Sequence, residues 1–262
     1  LNQGKNTISK NQKIYFVSDF HLGIPDYASS LKREKFLVRW LDEIIKDAKE
    51  IYLMGDIFDF WFEYKTVIPK GYVRLFGKLA EITDSGIPVH LFRGNHDIWA
   101  FNYLNKEINI QLHRKPVIKE FNEKIFYLSH GDGLGPGDTG YKFLKKTFEC
   151  KLNQWLFHWL HPDLGAQMGL YFSKKSRLAN LAKEGKKENS TPLQDEMLFK
   201  YSNEILKKEP SINYFIFGHR HVPISAQLSE TCNLIILGDW ITNFSYAVFD
   251  GNEVKIKFYK SN

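Results

Sequence analysis

The sequence predicts an α/β fold, with a parallel sheet, helices between its strands and a helical insertion late in the chain. Three observations carry this. Short apolar, β-rich runs alternate with amphipathic helical spacing between Ile14 and Asp97. Each run ends in a cluster of Gly, Asp, Asn or His. A long stretch, 141–208, then carries apolar residues at helical spacing with no strand-like run among them.

Taken in order, Ile14–Val17 is the first strand and stops at Ser18-Asp19-Phe20-His21. Leu37, Trp40, Leu41, Ile44, Ile45 and Ala48 recur with a helical period, giving one apolar face. Ile51–Met54 is the second strand and runs into Gly55-Asp56. A helix over 72–83 leads to strand Val89–Phe92 and Gly94-Asn95-His96-Asp97. Ile125–Leu128 ends at Ser129-His130-Gly131-Asp132, and Tyr214–Phe217 at Gly218-His219-Arg220-His221. Leu234–Leu237, Tyr246–Phe249 and Glu253–Tyr259 read as an antiparallel meander with a turn at Asp250-Gly251-Asn252. In the insertion, Leu144, Phe148, Leu152, Trp155, Leu156, Trp159 and Leu160 form one helical stripe that Pro162 breaks. The expected organisation is a core of 1–140 and 209–262 with an insertion over 141–208.

The chain has 262 residues, 43% hydrophobic, 25% charged and 15% aromatic, enough to bury a full core. Disordered, collagen-like and disulfide-stapled classes are excluded. Cys150 and Cys232 have no thiolate-site spacing and suit a reducing cytosol. No apolar run approaches the ~20 residues of a membrane span, and the polar start, Leu1 to Lys13, carries no signal-peptide pattern. Net charge is +6, and the segment Tyr141–Lys187, with ten Lys/Arg against three acids, carries the whole excess. So local a surplus predicts a local anionic partner.

Asp19, His21, Asp56, Asn95, His130, His219 and His221 all stand just past the ends of expected strands. Loops at that edge of an α/β sheet converge on one crevice. Seven oxygen and imidazole donors with no thiolate suit two hard or borderline divalent ions. Asp56, central in chain order, is the candidate bridge between them.

Asp19-x-His21, Gly55-Asp56-x-x-Asp59, Gly94-Asn95-His96-Asp97, His130-Gly131-Asp132 and Gly218-His219-x-His221 resemble the five motifs of the calcineurin-like metallophosphoesterases. The resemblance implies an αββα sandwich with a helical lid and a dinuclear centre, with manganese the expected metal. It implies that Asp19, His21, Asp56 and His221 hold one ion and Asp56, Asn95, His130 and His219 the other. It also implies that Asn95, His96 and Asp97 take part in catalysis, and that Asp59 orients a ligand histidine.

A narrower likeness is to the UDP-2,3-diacylglucosamine diphosphatases of lipid A biosynthesis. It rests on Gly55-Asp56-x-Phe58-x-x-Trp61, His130-Gly131-Asp132-x-Leu134 with Asp138-x-Gly140-Tyr141, and Leu237-Gly238-x-Trp240. Ser176, Asn180 and Lys183 match the spacing of that group's lid residues. The expected substrate contacts are therefore Asn95, His96, Asp138, Tyr141, Ser176, Asn180, Lys183, His219 and Trp61. The implied reaction hydrolyses an acylated UDP-sugar to UMP and 2,3-diacylglucosamine 1-phosphate. Its implied place is the cytoplasm, peripheral to the cytoplasmic face of the inner membrane of a Gram-negative bacterium. One departure stands out: His96 occupies a position where well-known members of this group carry Arg. A phosphodiesterase or phosphatase acting on another nucleotide or phospholipid is the alternative.

The insertion has two readings, and the second is favoured because an acylated substrate needs both apolar volume and positive charge near the metals. Its aromatic stripe is core with a solvated lysine face, or it holds acyl chains and meets the bilayer surface, with Lys142, Lys145, Lys146, Lys151, Lys174, Lys175 and Arg177 facing phosphates. Nucleic acid is not the expected partner, because the basic residues accompany an apolar helical stripe rather than an exposed stacking platform.

Overall fold

The computed structural model describes residues 7–135, 139–184 and 196–260, the side chains of 176–184 excepted. β1 (Lys13–Val17), β2 (Ala48–Leu53), β3 (Val89–Phe92) and β4 (Gln111–His113) run parallel. The β10 (Ser245–Phe249) and β11 (Val254–Phe258) hairpin extends that sheet antiparallel beside β1, giving the order β11-β10-β1-β2-β3-β4. A second sheet has the order β5-β6-β7-β9-β8. Its strands are β5 (Val117–Phe121), β6 (Lys124–Ser129), β7 (Ile212–Phe217), β8 (Ile224–Ser229) and β9 (Cys232–Ile236), with β6, β7 and β9 parallel.

Layering follows from the strand period of two, which sends alternate side chains to opposite faces. On the first sheet, Tyr15, Val17, Ile51, Leu53, Val89 and Leu91 face outward onto helices. α1 (Tyr27–Ile44) covers them with Leu37, Trp40, Leu41 and Ile44, and α2 (Val73–Asp84) with Leu75, Leu79 and Ile82. The alternate residues Phe16, Tyr52 and Phe92 face inward and meet Phe126, Leu128, Ile216 and Ile235 of the second sheet. The outer face of the second sheet, Tyr127, Phe215, Phe217 and Ile236, is covered by Leu198 of α7 (Met197–Lys208). The result is an αββα sandwich.

Asp26 caps α1 by accepting from Ser29 N at 2.9 Å. Glu34 of α1 accepts from Arg74 N and Leu75 N at 2.9 and 3.1 Å, tying α2's first turn to its neighbour.

Three expectations need correction, and four elements went unread. β9 and β10 are not neighbours in a meander, because the chain crosses between sheets after Leu237; apolar alternation marks a strand but not which sheet it joins. The stripe from Leu144 to Leu160 is broken at Cys150, whose extended backbone (φ −64°, ψ 121°) separates α4 (Thr139–Glu149) from α5 (Lys151–His158). α7 lies inside the expected insertion 141–208, yet it packs on the second sheet as one of the sandwich's outer layers. Finally, β4, β5, β8 and α3 (Tyr103–Ile108) are too short or too polar to stand out in the sequence.

Candidate metal centre

The loops after β1, β2, β3, β6 and β7 meet at one edge of the sandwich and are laced by backbone hydrogen bonds. Asp19 N donates to Gly55 O and His21 N to Asp56 O, both at 3.0 Å, and Gly218 N donates to His130 O at 2.9 Å. Asp19, His21, Asp56 and His219 all adopt left-handed backbone, with φ of 57°, 43°, 53° and 64°. Each such non-glycine residue costs ~1–3 kcal/mol, and strain of this kind concentrates where geometry serves function. Gly94 permits the closest approach: a Cβ there would sit 2.1 Å from Asp56 Oδ1.

Two donor clusters hold the expected ligands, and a third groups His21 with Asp59 and His96. Asp19, His21 and His221 bring their ligand atoms within 4.8 Å of one another, as do Asp56, His130 and His219. Asp56 stands between them, its Oδ2 3.3 Å from His130 Nε2 and 3.8 Å from His21 Nε2. Asn95 Oδ1 lies 2.9 Å from His219 Nδ1, beside the second cluster. The donors are oriented from behind. His130 Nδ1 donates to Met54 O at 2.8 Å, which leaves Nε2 for the site. Asp19 Oδ2 accepts from Ser18 Oγ and His219 N, leaving Oδ1. Asp19 Oδ1 and His130 Nε2 are buried with no hydrogen-bond partner among the described residues. Buried donors and acceptors directed into a carboxylate–imidazole cluster in this way fit a cation in each of the first two clusters.

Electrostatics point the same way. Burial opposes the charge on Asp19, but His21 and His221 hold its carboxyl well below the usual range. Burial likewise opposes ionisation of Asp56, and His130 and His96 override it. The carboxylates in turn outweigh burial at the histidines: Asp19 and Asp59 lift His21 to about 9, and Asp56 lifts His130 to about 10. Burial and the neighbouring His130 push His219 down to about 4. His96 is also lowered, chiefly by burial.

Two of the expected contacts are relocated. Asp97 points away from the clusters: its Oδ1 accepts from Gly94 N at 2.6 Å and its Oδ2 from Ile57 N at 2.9 Å. It clamps the loops of β2 and β3 together, and both oxygens are used in doing so. Trp61 is fully buried, stacked on Phe58 and bonded through Nε1 to Glu63, so it supports the loop and does not reach the site surface. Tyr141, at the start of α4, donates to Asp132 Oδ2 at 2.5 Å, and Lys145 Nζ shares that oxygen at 2.7 Å. Asp138 lies outside the described residues, as do the side chains of Ser176, Asn180 and Lys183.

His96 is held beside the first cluster, its ring centroid 4.7 Å from that of His21. Asp59 Oδ1 lies 3.3 Å from His21 Nδ1. Two residues escaped the sequence reading. Asp239 Oδ2 lies 3.7 Å from His221 Nδ1, and its Oδ1 accepts from three successive amides, Ile241 to Asn243. It follows β9 as the other site residues follow their strands, so the strand-end rule could have found it. Ser173 reaches Asp59 from the insertion, and no local signal marks it.

The insertion lies over this edge. α4 and α5 have no buried residue, and Phe143, Trp155 and Trp159 are 74%, 57% and 76% exposed. α6 (Pro162–Glu184) descends beside the site, and its Ala166 and Leu170 help line a cavity of about 530 Å³. Tyr27, Leu31, Val67 and Ile68 make up much of the remaining wall, and Gly23 and Phe60 link the cavity to the metal-centre loops.

Residues 12–223 match the family model for calcineurin-like phosphoesterases. Among curated relatives, a protein of Porphyromonas gingivalis is 36% identical over 94% of this chain and 97% of its own length. It is named UDP-2,3-diacylglucosamine hydrolase. Proteins of the same name from Aeromonas salmonicida (26% identity, 92% of this chain and 91% of theirs) and Histophilus somni (25%, 87% and 92%) are also similar.

Proposed function

Since the chain belongs to the calcineurin-like phosphoesterase family, we propose that it hydrolyses the diphosphate of UDP-2,3-diacylglucosamine, releasing UMP and 2,3-diacylglucosamine 1-phosphate. The observation that carries this reading is the end-to-end match, at 36% identity, to a relative named for that substrate. The site geometry is in keeping with it. Asp19, His21, Asp56 and His221 would hold one cation, and Asp56, Asn95, His130 and His219 the other. Two divalent ions, Mn²⁺ in this proposal, supply Lewis-acid activation of water and of the phosphoryl oxygens when bound.

The protein's own groups do the rest. Asp59 and Asp239 orient His21 and His221 from behind. His96 and Asn95 meet the phosphoryl group, and burial keeps the His96 imidazole below its ordinary pKa. UMP and a sugar phosphate are both good leaving groups, so their departure needs little proton donation. Lys145 and Tyr141 close the rim around Asp132.

The insertion supplies the lipid side. The cavity between α1, α6 and the loop at 60–72 takes an acyl chain, its wall being mainly apolar. Trp155, Trp159, Phe143, Leu152 and Leu156 are exposed among Lys142, Lys146 and Lys151, a combination that suits the headgroup region of an anionic bilayer. No described helix is long and apolar enough to cross a membrane, so the contact proposed is a peripheral one, on the cytoplasmic face of the inner membrane.

The test is Mn²⁺-dependent UMP release from UDP-2,3-diacylglucosamine, run beside Asp56→Ala and a deacylated UDP-sugar. Release that needs the metal, Asp56 and the acyl chains is the expected result. An inert acylated substrate with an aryl phosphodiester still cleaved would overturn the lipid reading and leave a phosphodiesterase of different substrate.

A further inference from the structure

α6 reaches the metal centre through a face of small residues. Gly165, Gly169 and Ser173 recur every four positions and so lie on one side of the helix. A Cβ at Gly169 would sit 2.1 Å from Phe60 Cδ2, and one at Gly165 2.1 Å from the Tyr64 hydroxyl. Only hydrogen fits at these two turns, and the helix backbone therefore lies directly against the loop that carries Asp56 and Asp59. One turn further on, Ser173 is buried at 8% exposure.

The hydrogen-bond directions there are determined by chemistry. Ser173 Oγ donates to Asp59 Oδ2 at 2.6 Å. His96 Nδ1 lies 2.9 Å from the Asp59 carbonyl oxygen and 3.2 Å from Ser173 Oγ. A carbonyl only accepts, so Nδ1 carries the hydrogen. The Ser173 hydrogen is already committed to the carboxylate, so its oxygen accepts from the same Nδ1–H. The other Asp59 oxygen lies 3.3 Å from His21 Nδ1, which leaves His21 Nε2 turned towards Asp19 and His221. One hydroxyl from the insertion thus joins the acceptor behind a metal-ligating histidine to the ring beside the phosphoryl site.

We propose that Ser173 is a positioning residue for the reaction. It fixes the Asp59 carboxylate behind His21 and braces the His96 ring from α6, and so makes the seating of α6 on Phe60 a condition of catalytic geometry. The role rests on the phosphoester-hydrolysis reading above.

The experiment compares wild type, Ser173→Ala and Ser173→Thr as metal-loaded enzymes, measuring kcat, KM and metal stoichiometry. Ser173→Ala is expected to lower kcat roughly 10- to 100-fold, the scale on which a small misplacement of a reacting group acts. KM and metal content stay within about twofold, because neither the ligand set nor the cavity changes. Ser173→Thr, which keeps the hydroxyl that bonds Asp59, is expected to recover most of the lost kcat. Wild-type kcat in Ser173→Ala overturns the proposal, as does a loss that tracks metal content alone. So does a folded, metal-loaded Ser173→Thr enzyme no faster than Ser173→Ala. If wild type leaves the acylated UDP-sugar intact, the substrate reading fails by itself. The same kcat comparison on an aryl phosphodiester then decides the role of Ser173.

Discussion

Gly169→Ala tests the seating of α6 with a single methyl group. The added Cβ would lie 2.1, 2.2 and 2.7 Å from Cδ2, Cε2 and Cγ of Phe60. Ordinary carbon contacts begin near ~3.5 Å, so the nearest contact is short by roughly 1.4 Å. The Phe60 ring has no room to yield, being buried, edge-on to Trp99 and tilted against Phe157. The helix must move instead. A shift of that size stretches the 2.6 Å bond from Ser173 to Asp59 beyond hydrogen-bonding range. Overpacking costs about 1–3 kcal/mol, while replacing a helical Gly by Ala returns about 1 kcal/mol. Net stability therefore falls by at most about 2 kcal/mol, which is about 4–8 °C in Tm for a chain of this size. Catalysis is hit harder: about 100-fold in kcat for a displacement near 1 Å. Calorimetry and UMP release measure the two effects separately. A variant with wild-type kcat, or one whose kcat falls only as far as its folded fraction, would refute the coupling between α6 and the site.

Other outcomes follow from the same structure. Glu63 is buried and accepts from the amides of Phe101, Asn102 and Tyr103 and from Trp61 Nε1. Glu63→Ala should cost roughly 3 kcal/mol and lower Tm by about 6–12 °C, because it strips several donors of their acceptor at once; an unchanged melting curve contradicts this. Burial, then the neighbouring His90, push His113 down to about 4 from its ordinary 6.5. The unfolded chain therefore takes up a proton first as pH falls. The stability that a neutral His113 contributes is complete above pH 6.5 and is lost between pH 6.5 and 4. His113→Asn should flatten Tm against pH over that window, and a profile as steep as that of wild type counts against it. Replacing Trp155 and Trp159 together by Ala should weaken binding to phosphatidylglycerol vesicles by about tenfold or more in flotation, with little effect on hydrolysis of detergent-dispersed substrate. Undiminished flotation would remove these helices from the membrane contact.

The donor set was legible because its geometry is local. Asp19, His21, Asp56, Asn95, His130, His219 and His221 each follow a strand by a few residues, and a parallel sheet delivers all such loops to one edge. Asp97 and Trp61 belong to the same motifs, yet the sequence could not say which way they point. Asp97 turns inward because two backbone amides claim its oxygens, and Trp61 because Glu63 and Phe58 enclose it. Ser173 was invisible for the opposite reason. It is a common residue 114 positions from Asp59, and nothing around it in the chain distinguishes it from other polar helix residues.

Amino-acid order by itself determined most of the segments that become strands, where the candidate metal donors stand on them, and that the excess positive charge and an aromatic stripe share one insertion. Those properties depend on residue type and on periods of two and 3.6, which neighbours along the chain express on their own. Only the tertiary structure decided that β9 and β10 part into different sheets, that α7 closes the sandwich, and that α6 lies close enough to Phe60 for Ser173 to meet Asp59 and His96. Each depends on contacts between segments far apart in the chain. In such contacts, shape and the pairing of buried polar groups select one arrangement among several that the local pattern allows equally.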